Sequence, residues 1–279
     1  MAGTLVICGT PIGNMKDVSP RLVETLASVD LIYAEDTRRT NTFLHRLGVD
    51  TPVRSYFVGN EARKSVELAH RLERGETVAF VTDAGMPGVS DPGVSAVRAA
   101  VAAGATVTVV PGPSAVTAAL AVSGFNADRF VFEGFLPRSG GERVARLDGI
   151  AGEERTVVLF AAPSRLVADL DELAVRTPDR AIVVTRELTK RYEEVWRGTV
   201  QEAARHWRQE AEARGEFTLV MAGVRNAGVT LEEALAAVGA ETDAGARLSD
   251  AVRTVADATG VSRRELYQAA LRRRRVEEA

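Results

Sequence analysis

Short apolar runs alternate with amphipathic stretches over the first 112 residues of the chain. The runs cover residues 4–8, 31–34, 53–56, 78–82 and 106–110, and we predict a strand at each of them. The helices predicted between them begin at Ser19-Pro20, at Asp36 or Thr37, at Asn60 and at Val94, and end at Ala27, near Leu47-Gly48, at Arg74-Gly75 and at Ala103. This alternation favours a mostly parallel sheet with helices on both faces.

A second alternation of the same kind follows residues 111–113, where two prolines flank a glycine. It predicts a helix of small residues at 114–123, strands at 130–133, 156–160, 181–185, 194–197 and 217–222, and helices at 141–150, 165–174 and 200–213. We therefore expect an α/β protein with an N-terminal α/β domain over residues 1–112 and a C-terminal α/β domain over residues 113–225. The deepest crevice is expected between the two.

The remaining residues, 226–279, are expected to form a small helical tail. Residues 225–229 are predicted to be a linker, and helices are predicted at 231–238, 248–258 and 263–274, with a turn at 259–261 and Ser262 as an N-cap. The last two resemble a helix-turn-helix. From Arg247 onward the chain has eight arginines and five acidic residues, a formal charge of +3. Because the formal net charge of the whole chain is −3, residues 1–246 carry a charge of −6. Contact with nucleic acid and a merely solvated basic face both remain open.

Composition excludes several kinds of site. The chain of 279 residues has one cysteine and three widely spaced histidines, which excludes an internal disulfide and argues against a metal centre. No run of about 18 apolar residues occurs, so no membrane span is expected. The first apolar run is too short for a signal peptide, which predicts a cytoplasmic protein.

Three loops rich in glycine and proline follow predicted strands, at residues 9–14, 83–93 and 111–115. In an open α/β sheet the carboxyl ends of the strands share one edge, where ligands bind. The first loop fits neither the G-x-G-x-x-G dinucleotide fingerprint nor the G-x-x-x-x-G-K-[ST] phosphate loop. An adenosyl compound held by backbone groups and apolar contacts therefore fits this crevice better than a ligand that depends on its phosphates.

Six motifs occur in an order that resembles one family. They are Gly9-Thr10-Pro11-Ile12-Gly13-Asn14, Ala34-Glu35-Asp36-Thr37-Arg38, Asp83-Ala84-Gly85-Met86-Pro87 with Ser90-Asp91-Pro92-Gly93, Pro111-Gly112-Pro113-Ser114-Ala115, Glu133-Gly134-Phe135-Leu136-Pro137 and Arg186-Glu187-Leu188-Thr189-Lys190. The chain is similar over residues 3–225 to the ribosomal RNA small-subunit methyltransferase I family, part of the tetrapyrrole-methylase-like superfamily. Beyond residue 225 the helical match is weaker.

The resemblance implies two α/β domains of the class III methyltransferase type with a cofactor cleft between them. It also implies S-adenosylmethionine-dependent methylation of the ribose 2′-hydroxyl of a cytidine in 16S rRNA of the small ribosomal subunit, by a homodimer. Contacts with the cofactor are expected from Pro11, Ile12, Gly13, Asp83, Ala84, Gly85, Met86, Pro87, Ser114, Ala115, Phe160 and Ala222.

A ribose hydroxyl is a poor nucleophile at neutral pH, so a base should assist it. Glu35 and Asp36 are the candidates, with Arg38 or Arg39 on an RNA phosphate. Asp36 is equally well placed to be a helix N-cap, and the arginines to be solvated helix residues. The chain departs from the family at Ala161 and Ser164.

A further departure lies at Phe57 and Gly59, where relatives often have histidines.

Two alternative functions remain. One is a tetrapyrrole C-methyltransferase of the same fold. The other is a non-enzymatic nucleic-acid-binding protein that uses residues 248–275.

Overall fold

The computed structural model describes residues 2–210, 214–224, 231–259 and 261–277, with side chains described up to Arg273. The chain forms two compact units, divided after Gly223. Three predicted features lie outside the described residues. They are the linker at 225–229, Gly260 in the middle of the predicted turn, and the end of the helix predicted to reach residue 213.

The first sheet has five strands, β1 (Thr4–Cys8), β2 (Leu31–Ala34), β3 (Val53–Ser55), β4 (Thr77–Val81) and β5 (Thr106–Val110), in the order β3-β2-β4-β1-β5. Every pairing in it is parallel, as the alternation predicted. The carboxyl ends of all five strands therefore lie at one edge, and the loops that follow β1, β4 and β5 start there.

Helices cover both faces of this sheet. On one face α1 (Pro20–Ser28) and α2 (Thr37–Leu47) bury Leu22, Leu26 and Leu44, and on the other α3 (Glu61–Glu73) and α4 (Val94–Ala102) bury their own apolar residues. The helix ends follow the predicted caps, since Ser19 Oγ accepts a hydrogen bond from the N–H of Leu22 at 3.2 Å.

Asn60 is an exception among the predicted caps. It makes no side-chain cap bond to α3, and its Oδ1 instead accepts from the N–H of Phe57 at 2.9 Å. The asparagine therefore closes the turn before α3 rather than capping the helix.

The second sheet is mixed. Its strands are β6 (Phe130–Phe135), β7 (Thr156–Ala161), β8 (Ala181–Arg186), β9 (Glu194–Thr199) and β10 (Phe217–Met221), in the order β6-β7-β10-β8-β9. β6 and β7 are parallel, whereas β10 runs antiparallel to both β7 and β8, and β8 and β9 are antiparallel. The direction of β10 determines which of its ends reaches the site.

One face of the second sheet packs on α6 (Gly141–Gly152), α7 (Leu166–Arg176) and α8 (Val200–Gln209). The other face packs on α5 (Ala115–Ser123), and Ile12 and Leu188 join that apolar cluster. The first loop is thus packed against the second sheet. The boundary predicted at residues 112 and 113 separates two sheets that belong to one compact unit.

The second unit contains α9 (Leu231–Asp243), α10 (Leu248–Thr259) and α11 (Arg263–Glu277). These helices share their own small core, which includes Ala234, Val252 and Leu266. Ser262 Oγ accepts from the N–H of Glu265 at 3.4 Å, as expected for the N-cap of α11. Within the part of the chain that the structure describes, no helix is long and apolar enough to cross a membrane.

Candidate functional site

The three glycine-rich loops meet at the carboxyl edge of the first sheet. Thr10 and Gly85 exchange backbone hydrogen bonds of 2.9 and 3.1 Å, which join the first loop to the second. The N–H of Gly9 donates to the carbonyl of Val110 at 2.9 Å, which joins the first loop to the end of β5. These bonds pair backbone N–H and C=O groups of the loops beyond the ends of the strands. They also place the first loop between the other two.

Gly9 of the first loop and Gly112 of the third approach each other closely. A Cβ built on Gly9 would lie 2.6 Å from the backbone nitrogen of Gly112 and 2.5 Å from the sulfur of Met86. No side chain fits at either glycine without moving backbone. The first and third loops therefore pack directly on one another at these two glycines.

A cavity of about 320 Å³, here called the main cavity, lies between these loops and the second sheet. This volume is within the range of small-molecule sites. Its lining is mostly apolar and comes from both sheets. The lining residues are Ile12, Ala84, Gly85, Met86, Val89, Ser90, Asp91, Ser114, Ala115, Phe135, Phe160, Ala161, Ala162, Pro163, Glu216, Phe217 and Thr218.

Seven of the predicted cofactor residues line the main cavity, namely Ile12, Ala84, Gly85, Met86, Ser114, Ala115 and Phe160. Pro11, Gly13 and Asp83 instead line a smaller cavity of about 170 Å³ that also contains Arg39. Pro87 is in neither lining and packs close to Gly93. The first loop therefore presents some residues to each cavity.

Ala222, which was predicted to contact the cofactor, does not line the main cavity. β10 runs antiparallel to β7, so Phe217 pairs with Ala161 beside the cavity while Met221 pairs with Val157 at the far end of the sheet. At about 3.3 Å per residue, Ala222 lies roughly 16 Å along the strand from Phe217. Its carbonyl accepts from Arg180 Nε there. The amino end of β10, with Glu216 and Thr218, supplies the lining that Ala222 was expected to supply.

The Arg186–Lys190 motif ends β8 and begins the loop to β9, which lies beside the first loop. Lys190 Nζ forms ion pairs with Glu187 Oε1 at 2.8 Å and with Glu216 Oε2 at 3.0 Å. Glu187 and Thr189 have φ of +53° and +68°, a conformation that costs free energy in residues other than glycine. The turn is therefore strained, and Lys190 ties it to the strand end that lines the main cavity.

The carboxylates of Glu35, Asp83 and Asp91 lie close enough for their charges to act on one another, and Asp91 lines the main cavity. Asp83 forms an ion pair with Arg39 at 2.9 Å and accepts the backbone N–H of Asp36 at 3.2 Å. Burial, and then the charges of Glu35 and Asp83, together raise the pKa of Asp91 from 3.8 to about 6. Burial and the charge of Asp83 also raise the pKa of Glu35.

Asp36 is a helix cap. Its Oδ1 accepts from the N–H of Arg38 at 2.8 Å and of Arg39 at 3.4 Å, and its Oδ2 pairs with the Arg38 guanidinium at 3.1 Å. Hydrogen bonding by the Arg38 side chain, and then by its backbone N–H, lowers the pKa of Asp36 to about 2. A carboxylate with so low a pKa is a weak proton acceptor. The Arg38 side chain is 90% exposed, but its guanidinium is paired with Asp36.

Asp91 is the residue that the sequence-based choice of site residues missed. It stood inside the quoted Ser90–Gly93 motif, but an aspartate before proline is typical of an ordinary turn. Ser90 adopts φ of +61°, and the N–H of Gly88 donates to the carbonyl of Pro92 at 3.1 Å, which closes the loop around Asp91. The burial of Asp91 and the charges of Glu35 and Asp83 that act on it depend on tertiary contacts, which the local sequence does not show.

The family departures fall in different places. Ala161 lines the main cavity, and Ser164 lines a neighbouring cavity described below. Phe57 and Gly59 lie before α3 and line none of the cavities described here. A Cβ on Gly59 would lie 2.7 Å from the Phe57 ring, so a side chain at this position would require the ring to move.

Known proteins resemble this chain over nearly its whole length. Residues 4–204 match the family described as Tetrapyrrole (Corrin/Porphyrin) Methylases, and residues 230–274 match the RsmI C-terminal HTH domain. A Synechocystis protein named Ribosomal RNA small subunit methyltransferase I is 42% identical over 96% of this chain and 98% of its own length. Proteins of that name from Thermotoga maritima and Mycobacterium tuberculosis are 43% and 42% identical, over 79% and 98% of this chain and 99% and 96% of their own lengths.

Solved structures show the same fold at lower identity. Diphthine synthase aligns with a TM-score of 0.60 at 17% identity, over 78% of this chain and 89% of that one. The uroporphyrin-III-C-methyltransferase of Thermus thermophilus aligns with a TM-score of 0.58 at 17% identity, over 79% and 94%. Together with the loops and the main cavity, these matches establish that the chain belongs to the tetrapyrrole methylase family and, within it, to the ribosomal RNA small subunit methyltransferase I group.

Proposed function

We propose that this protein transfers a methyl group from S-adenosylmethionine to the ribose 2′-hydroxyl of a cytidine in the 16S rRNA of the small ribosomal subunit. The observation that carries the proposal is the near-complete match, at 42% identity, to relatives named for methylation of small-subunit rRNA. A substrate of this kind would put the activity in the cytoplasm.

The main cavity suits such a cofactor. It offers about 320 Å³, apolar walls and the backbone groups of tight loops, without a phosphate-binding motif. Ile12, Gly85, Met86, Ala115 and Phe160 would hold the adenosine and the side chain that carries the sulfur, and the carboxylate of Glu216 would favour the positive charge of the cofactor. When bound, the cofactor supplies an already activated methyl group on a sulfonium centre.

Within this proposal, Asp91 is the base. Its carboxylate lines the main cavity, and a pKa of about 6 leaves it ionised at neutral pH yet more basic than an ordinary aspartate. It would receive the proton of the ribose hydroxyl as the oxygen forms its bond to the methyl carbon, a contribution of about 10²–10⁴ in rate. Glu35, whose pKa is also raised, would act through its charge on Asp91. Asp36 and Arg38 would have no proton-transfer role.

The second unit would add affinity for RNA. Its match to a helix-turn-helix family and the arginines of α11 support contact with phosphates, which dominate affinity for nucleic acid. We propose further that two copies of the chain form a homodimer, as the family resemblance implied.

The proposal is tested by incubating the protein and labelled S-adenosylmethionine with small ribosomal subunits that lack the modification. We expect label on a cytidine whose 3′ linkage resists alkaline cleavage, because its 2′-hydroxyl is blocked. A base-methylated cytosine with a free 2′-hydroxyl would contradict the assignment.

A parallel incubation with a porphyrinogen tests the tetrapyrrole alternative. Methylation of that substrate, with none of the ribosomal subunit, would establish the alternative instead.

A further inference from the structure

A third cavity, here called the side cavity, opens beside the main cavity. It measures about 540 Å³ and shares Phe135 and Ala162 with the lining of the main cavity. Its other lining residues are Leu136, Arg138, Ser164, Arg165 and Asp169. None of these residues is among those predicted for the cofactor or for catalysis.

A β-bulge brings Phe135 to the boundary between the two cavities. The register of β6 on β7 shifts between Phe132 and Phe135, and Gly134 at the shift has φ of +63°. A Cβ at Gly134 would lie 3.2 Å from Ser90 Oγ, a tight contact, but it is the positive φ that favours glycine here. The Phe135 ring stays 55% exposed, although its centroid lies 5.5 Å from that of Phe160.

The side cavity carries unpaired positive charge. Among the described residues, neither Arg138 nor Arg165 has a carboxylate within ion-pair distance. The charge of Arg165 acts on Asp169, but the ion pair of Asp169 is with Arg143 at 2.8 Å, and both of those side chains are more than 90% buried. The cavity wall therefore presents two cations next to an exposed aromatic ring.

The loop that bears Arg138 is held in place. Arg143 Nη1 donates to the carbonyl of Pro137 at 2.8 Å, and Arg165 Nη2 donates to the carbonyl of Arg138 at 2.9 Å. Two arginine side chains from α6 and from the start of α7 thus fix consecutive carbonyls of this loop. The Arg138 side chain itself is exposed.

We infer that the side cavity binds a single-stranded nucleotide of the RNA substrate, with its base on the Phe135 ring and its phosphate on Arg138 and Arg165. Bases that leave a helix are recognised by stacking on aromatic side chains, and arginine binds phosphate through a planar fork of donors. Because the two cavities share Phe135, a nucleotide bound there would hold its ribose toward the methyl donor. This inference rests on the proposed function.

Arg138→Gln tests the phosphate contact, with Arg129→Gln as its matched control. Arg129 is also exposed but immediately precedes β6, at the other end of the strand from Phe135. With undermethylated small subunits as substrate, Arg138→Gln should raise KM about fivefold and reduce the salt slope by roughly 0.7, as expected when one phosphate is no longer neutralised. The control should match the parent, and S-adenosylmethionine affinity should be unchanged in both.

Phe135 tests the stacking contact. Phe135→Leu should raise KM for the subunit about tenfold, while Phe135→Trp keeps an aromatic face and should stay near the parent. A cavity wall that needed only apolar volume would give the opposite order, because leucine fits the space better than tryptophan.

The outcomes separate the two proposals. If the parent methylates the subunit and Arg138→Gln has the same KM and salt slope as the parent, the side cavity is not the RNA site and the proposed function stands. If the parent fails to methylate the subunit, the proposed function fails. The side cavity is then judged by anisotropy with a labelled single-stranded decaribonucleotide of mixed sequence, and binding that Arg138→Gln leaves unchanged overturns the inference.

Discussion

The stem of Lys190 crosses the backbone of Gly13. A Cβ built on Gly13 would lie 2.3 Å from Cγ and 2.9 Å from Cε of Lys190. The lysine cannot swing away freely, because its ammonium is bound by Glu187 and Glu216. The first loop of one sheet and the last motif of the other are therefore locked together beside the main cavity.

Gly13→Ala should displace this lysine and weaken S-adenosylmethionine binding by roughly tenfold, which is about 1.4 kcal/mol. Lys190→Ala in the Gly13→Ala background should recover part of that affinity, because it removes the atoms in conflict. A double-mutant cycle by calorimetry measures the coupling. Strictly additive effects would show that the contact does not position the loop.

Ala115→Phe should block the main cavity. Ala115 begins α5 and lines the cavity, so a ring there occupies space that the cofactor needs, and we expect at least tenfold weaker S-adenosylmethionine binding. Ala121→Phe is the matched control, since Ala121 is exposed on the same helix. Equal cofactor affinity in both variants would remove the main cavity from consideration.

Asp91→Asn should lower kcat by about 10²–10⁴ while leaving S-adenosylmethionine bound. In the parent, kcat/KM should rise with pH through about 6, because the carboxylate accepts a proton only after it has lost its own. That rise should vanish in the asparagine variant. Its persistence there would assign the base to another group, with Glu35 as the first to examine.

The same variant should be more stable than the parent above pH 6. Because folding raises the pKa of Asp91 above its unfolded value of 3.8, stability falls as pH rises from about 4 to 6 and stays lower above. Removing the charge should therefore add about 1 kcal/mol to the free energy of unfolding at pH 7.5, after allowance for solvent screening of a half-exposed group. Urea titrations of both proteins at pH 4 and 7.5 measure this, and an equal difference at the two pH values would refute it.

Asp36 separates a capping role from a catalytic one. Asp36→Asn keeps a good N-cap and should retain most activity and stability, whereas Asp36→Ala should unfold at a lower temperature because α2 loses its cap. Thermal unfolding and turnover of the two variants measure the two roles. A large drop of kcat in Asp36→Asn would restore this residue as the base.

Replacing Arg272–Arg275 with alanine tests the helical unit. If α11 contacts rRNA, KM for the small subunit should rise, and the salt slope should fall by roughly 0.7 for each phosphate that the variant no longer neutralises. Cofactor affinity should not change, because the main cavity is built by the first unit. An unchanged KM and salt slope in a variant of the same oligomeric state would leave these arginines without a role in RNA binding.

The sequence by itself determined the elements and much of the site. The apolar runs and caps predicted every strand of both sheets to within about two residues, because local spacing and capping are short-range properties. The glycine and proline pattern also predicted that three loops share one edge, since parallel strands place their carboxyl ends together. The order of six motifs then indicated the family.

The tertiary structure decided what periodicity cannot encode. The pattern of a buried apolar run does not show in which direction the strand lies in the sheet. β10 is antiparallel to β7, and its amino end therefore brings Glu216 to the cavity while Ala222 lies at the far end of the strand. A pKa depends on which groups and how much solvent surround a carboxyl, so Asp36 and Asp91, both aspartates beside turns, received values of about 2 and about 6. Hydrogen bonds from the neighbouring Arg38 lower the value of Asp36, whereas burial and the charges of Glu35 and Asp83, which are distant in sequence, raise the value of Asp91.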